Sequence, residues 1–101
     1  MKLINVTDNH PRLVLNQLEN TDAQLVEVYS AGSTNIIYTE APFHNEIVII
    51  NKKRAINKQE LETFKKFFKR KMKKFTYNKN DIIIEKSGGL IEISIPHKQD
   101  I

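Results

Sequence analysis

Between Lys65 and Lys74 the sequence reads KKFFKRKMKK, seven basic residues and three apolar ones. Lysine and arginine side chains neutralise phosphates and release their counterions, which gives binding that is indifferent to base sequence and sensitive to salt. Spacing decides whether such groups can act together. On a helix Lys65, Lys69 and Lys73 form one i, i+4 ladder, and Lys66, Arg70 and Lys74 form a second. Glu62 is the only carboxylate near enough in sequence to offset either. Solubility is achieved with less self-repulsion by mixed charge, so two unrelieved ladders point to a polyanion-facing surface. Lys52, Lys53 and Arg54, just before the helix, extend the candidate patch. The competing reading is a solvated helix face, because like charges at i, i+4 cost only tenths of a kcal/mol.

Other chemistry is sparse. His10, His44 and His97 are the only imidazoles, and no two stand at a spacing that would aim both at one metal from a helix. Each reads as a surface or loop histidine. There is no cysteine, hence no thiolate nucleophile and no thiolate zinc site. Gly88-Gly89 is the only glycine pair and lies between two strand patterns, which suits a hairpin turn and not a phosphate cradle. Tyr29, Tyr38 and Tyr77 could stack on bases, although tyrosines in strands more often pack across the sheet. No catalytic residue, metal site or cofactor is expected. A small enzyme whose groups converge from distant parts of the chain is the remaining alternative.

The elements that must position the lysines follow from pattern. The chain has 101 residues, the size of one domain spanning 1–101. A chain of this length buries roughly 60 to 70% of its unfolded surface, and no disulfide or metal is required to hold it. Net charge is +4 but unevenly spread: residues 52–79 carry twelve Lys/Arg against Glu60 and Glu62, and the flanking segments are acidic. The longest apolar run is Ile47–Ile50, so neither a membrane span nor a signal peptide is expected, and a cytoplasmic location is.

Lys2–Val6 reads as a strand, and Thr7 or Asp8 can cap a helix over 9–20 whose apolar stripe is Pro11, Val14, Leu15 and Leu18. Strands are predicted at 23–30, 35–40 and 46–51, the last lacking a polar break and so suited to a central position. Asn57 and Glu60 form an N-x-x-E capping box that opens the lysine helix. Leu61, Phe64, Phe68, Met72 and Phe75 fall on one side of it, with the basic ladders on the opposite arc. Lys71 is expected to lay its stem along the edge of Phe64 and Phe67. Strands at 81–86 and 90–95 close the chain as a hairpin. The fold class is α+β, in the order β-α-β-β-β-α-β-β, an antiparallel-rich sheet with two helices on one face and Val14 and Leu18 in the same core as the lysine helix.

The α-β-β-β-α portion is similar in order to a double-stranded-RNA-binding domain. It departs from that pattern in carrying Phe64, Phe67 and Phe68 on the second helix and no glycine in Asn51–Ala55. The stretches MKLINVTDNH, TDAQLVEVYSAG, IIYTEAPFHNEIVI and NKKRAI resemble a domain-of-unknown-function family of short proteins of Gram-positive bacteria. That resemblance, over the first half, implies a bacterial, intracellular, stand-alone domain and supplies no functional residues. The expectation is a non-enzymatic binding or regulatory protein whose basic helix meets a polyanion. Nucleic acid is favoured over an acidic protein or a ribosomal surface.

Overall fold

Alternating apolar side chains in the strands pair into one antiparallel sheet with two usable faces. The computed structural model describes residues 2–98. The strands are β1 (Ile4–Asn5), β2 (Leu25–Ala31), β3 (Thr34–Glu40), β4 (His44–Asn51), β5 (Ile83–Ser87) and β6 (Leu90–Pro96), and the helices are α1 (Pro11–Thr21) and α2 (Lys58–Lys71). The sheet order is β1-β2-β3-β4-β6-β5, every pair antiparallel. The expected order of elements and the central place of β4 hold. Among the described residues no helix is long and apolar enough to cross a membrane.

Directly paired residues in antiparallel strands share a face. The row Tyr29, Ile36, Ile49, Ile91 and the row Glu27, Tyr38, Ile47, Ile93 therefore point to one side. There α2 packs Leu61, Phe64 and Phe68, and the 3-10 turn Met72–Lys74 that follows it packs Met72, into a single core with the tyrosines and isoleucines. Phe68, 1% exposed, stacks on Tyr38 at 5.2 Å between centroids and meets Tyr29 edge-on at 5.7 Å.

The first helix is placed differently from expectation. Val26, Val28 and Ile37 are buried yet belong to the opposite face by register, and α1 packs along β2 there, outside the α2 core. The two helices thus cover opposite faces, and Val14 and Leu18 are not part of the α2 core. The stripe is also turned. Leu13, Val14, Gln17 and Thr21 are half-buried, whereas Pro11 is exposed, as are Leu15 and Leu18 at 55% and 38%. Entry geometry explains this. Thr7–Asn9 form a short 3-10 turn, and Thr7 caps no helix; its Oγ1 accepts from the Val28 N–H at 3.0 Å, tying the turn to β2 before Pro11 begins α1.

Candidate polyanion-binding face

The lysine helix starts where its local sequence says. Asn57 Oδ1 accepts the Glu60 N–H at 2.8 Å, and Glu60 Oε1 accepts the Asn57 N–H at 3.3 Å, which completes the capping box. Glu60 has a second task. Arg54 Nη1 and Nη2 donate to its two oxygens at 2.6 and 2.8 Å, so Arg54 is committed to the start of α2 and is not a free cation. That bidentate bond, assisted by the Asn57 backbone, outweighs burial and holds the Glu60 carboxyl below its ordinary range.

The loop carrying Lys52 and Lys53 is built by Asn51, whose side chain is fully used. Its Nδ2 donates to Ser33 Oγ and Thr34 Oγ1, both at 3.0 Å, and its Oδ1 accepts the Lys53 and Arg54 N–H groups at 2.9 and 3.1 Å. The hairpin turn closes on the same loop. A Cβ at Gly89 would stand 2.0 Å from Asn51 O and 2.9 Å from Arg54 O, so only glycine fits. Gly88, at φ 61°, supplies the left-handed turn residue.

At the other end, α2 is pinned to the sheet by charge. Lys71 Nζ reaches Glu27 Oε1 at 2.8 Å and lies 5.7 Å from the centroids of both the Tyr29 and Tyr38 rings. Burial opposes the Lys71 charge, but its hydrogen bonds to Glu27 and Tyr29 prevail and raise its titration above the ordinary lysine value. Burial raises both Tyr29 and Tyr38, and the Tyr38 hydroxyl donates to Glu40. Neither phenol is a stacking platform: they are 4% and 0% exposed. Lys74 Nζ lies 3.3 Å from Glu40 Oε1, so Glu62 is not the sole carboxylate that answers the ladders. Glu62 itself lies 3.6 Å from Lys65 in an exposed, weak contact.

What is left is a tight group. Lys66, Lys69, Arg70 and Lys73 are exposed, have no ion-pair partner among the described residues, and line one shallow depression on the outer side of α2. Lys2 joins Lys66 and Arg70 around a neighbouring depression floored by Leu3 and Phe67. Lys2 was invisible in the local pattern because β1 brings it there from the far end of the sequence. Lys52 and Lys53 are exposed but line neither depression. They precede the cap at Asn57, and the helix advances about 1.5 Å per residue before Lys66 is reached.

The histidines are set apart from this face. His44 Nε2 lies 3.1 Å from Glu46 Oε1. His97 is more than a loop histidine: it is half-buried, stacks on Phe75 at 4.7 Å, and its ring nitrogens approach Pro42 O and the Asn45 side chain at 3.2 and 3.0 Å. Among the described residues no group of three or more His, Asp or Glu is arranged to hold a metal ion.

Comparison with known proteins extends the resemblance seen in the first half to nearly the whole chain. The family model described as a domain of unknown function (DUF1827) matches residues 1–96. The crystal structure of a conserved protein of unknown function from Streptococcus thermophilus LMG 18311 is 49% identical, with a TM-score of 0.91 over 98% of this chain and 99% of that one. No curated protein matches. The chain belongs to the DUF1827 family.

Proposed function

We propose that this protein is a non-enzymatic, cytoplasmic binding module that engages the phosphate backbone of a nucleic acid through Lys66, Lys69, Arg70 and Lys73, with Lys65 and Lys2 at the flanks. The observation that carries the reading is selective pairing. Lys71 and Lys74 are met by carboxylates from β2 and β3, whereas the four central cations face outward with none among the described residues. Most of the apolar side of the helix is spent on the core, so a partner approaching Lys66, Lys69, Arg70 and Lys73 meets charge first. Such a surface reads charge density and not base edges. Lys66, Lys69 and Arg70 on α2 and Lys73 in the 3-10 turn that follows span about 10 Å, a footprint of a few phosphates, which gives modest and salt-sensitive affinity.

The test is capture of partners from lysate by wild type and by the triple reversal Lys66→Glu, Arg70→Glu, Lys73→Glu, with and without nuclease. Loss of captured material on either nuclease treatment or reversal is expected. Capture that survives nuclease but disappears on reversal would replace nucleic acid with an acidic protein or ribosomal-protein surface. Capture indifferent to the reversal would leave the helix a solvated face.

A further inference from the structure

Beside the outer face of α2 runs a second feature of different chemistry. β5 is the last strand of the sheet, and α2 does not reach across it. Ile84, paired with Ile93 and on the α2 side of the sheet, is 40% exposed, whereas Ile93 and Ile47 in the same row are 6% and 3% exposed. The chain leaving α2 returns along the far side, held by the Lys98 N–H bonded to Thr76 O at 2.7 Å and by the Tyr77–His97 bridge. Between helix, returning segment and strand lies a slot of about 340 Å³ with Phe68, Met72, Ile84 and Ile93 among its walls. Among the described residues its charged lining groups are Lys65, Lys69 and Lys79, with no carboxylate. Lys69 and Lys79 have no ion-pair partner among the described residues.

We propose that this slot binds a single-chain amphipathic carboxylate, its hydrocarbon tail along Ile84 and Phe68 and its carboxylate among Lys65, Lys69 and Lys79. Size and chemistry select that occupant. The volume is at the small-molecule end of the range for pockets. Two turns of a partner helix, about 10 Å across and about 11 Å long, would displace roughly 800 Å³ and cannot enter. A nucleobase would set polar ring edges against isoleucine with only the Tyr77 phenol to answer them. A free inorganic anion would use the lysines and leave the apolar wall wet. An aliphatic chain ending in a carboxylate satisfies both.

The experiment is isothermal titration of the full chain with hexanoate, octanoate and decanoate below their self-association, with decanol and inorganic phosphate as probes lacking one half of the chemistry. Affinity is expected to rise about fourfold per methylene and then level off as the slot fills, with decanol and phosphate each far weaker. Ile84→Phe, which fills the slot from an exposed strand, and Lys79→Glu, which reverses one rim charge, are each expected to weaken decanoate about tenfold or more at unchanged thermal midpoint. The two proposals share Lys69, so they are separated at other groups: the Lys66, Arg70, Lys73 reversal keeps the gain in affinity per methylene, and the uncharged change Ile84→Phe leaves nucleic-acid affinity unchanged, so the two fail separately. Equal binding of decanol and decanoate, no dependence on chain length, indifference to both variants, or binding to phosphatidylglycerol vesicles without binding of the free carboxylate would each overturn the assignment.

Discussion

Lys71 Nζ lies 2.8 Å from Glu27 Oε1, a buried oxygen. The two residues come from α2 and β2, and their contact adds a charged tie to the apolar seating of the most basic helix of the chain on the sheet. The first expectation follows. Lys71→Met leaves Glu27 without its counter-charge and should destabilise the fold by about 1–3 kcal/mol, less than for a fully buried pair because both groups keep some solvent. Adding Glu27→Gln should recover part of that loss. Urea unfolding of the two single variants and the double variant gives the coupling, and strict additivity would contradict it.

Acid should loosen the other end of α2. The Glu60 carboxyl is held low in the folded protein, principally by Arg54. Its contribution is complete above the ordinary value of 4.5 and is lost as the pH falls through the lower folded value. Wild type should therefore exceed Glu60→Gln in stability at neutral pH, and the difference should close in acid. A difference that persists unchanged through the acid range would rule out the Arg54 pairing as its source.

Gly89→Ala is expected to destabilise by about 1–3 kcal/mol, because the new methyl would press on the backbone oxygens of Asn51 and Arg54. The same change should speed hydrogen exchange at the Lys53 and Arg54 amides, which Asn51 Oδ1 now holds. Exchange unchanged at both amides would separate the hairpin from the loop.

The unequal seating of the two helices is testable by truncation. Phe68→Ala should cost about 3–5 kcal/mol, from a side chain 1% exposed and enclosed by Tyr29, Tyr38 and Phe67. Leu18→Ala, at a position 38% exposed, should stay near 0.5 kcal/mol. Comparable losses at both positions would contradict the turned stripe of α1.

The parts of this architecture legible from sequence are the local ones. The Asn57–Glu60 cap depends on four consecutive residues, and the Leu61, Phe64, Phe68, Met72 stripe on one helix period. Lys66, Lys69 and Arg70 lie outside that stripe for the same reason, whereas Lys74 departs from its expected ladder, because α2 ends at Lys71 and the 3-10 turn Met72–Lys74 follows, with Lys74 meeting Glu40. The side of α1 that meets the sheet was not legible, since its apolar residues Pro11, Leu13, Val14, Leu15 and Leu18 surround much of the helix and the choice is made by Thr7 bonding to β2. Nor were the carboxylates that disarm the basic run. Glu27 alternates with Val26 and Val28 and reads as a solvent residue, but both faces of β2 are covered, and Glu27 and Glu40 point toward Lys71 and Lys74. Lys2 reaches the edge of the basic surface, and Lys79 the rim of the slot, only through the tertiary fold.

The reading of α2 as a phosphate-binding face is tested most directly by the salt dependence of affinity for labelled single- and double-stranded oligonucleotides of unrelated sequence. With four phosphates neutralised by Lys66, Lys69, Arg70 and Lys73, the slope of log affinity against log salt should be roughly −3 to −4, alike across sequences. The reversal of Lys66, Arg70 and Lys73 to Glu should abolish binding without lowering the thermal midpoint, because all three side chains are exposed. Binding by wild type with a slope near zero, or equal binding by the folded reversal, would contradict it.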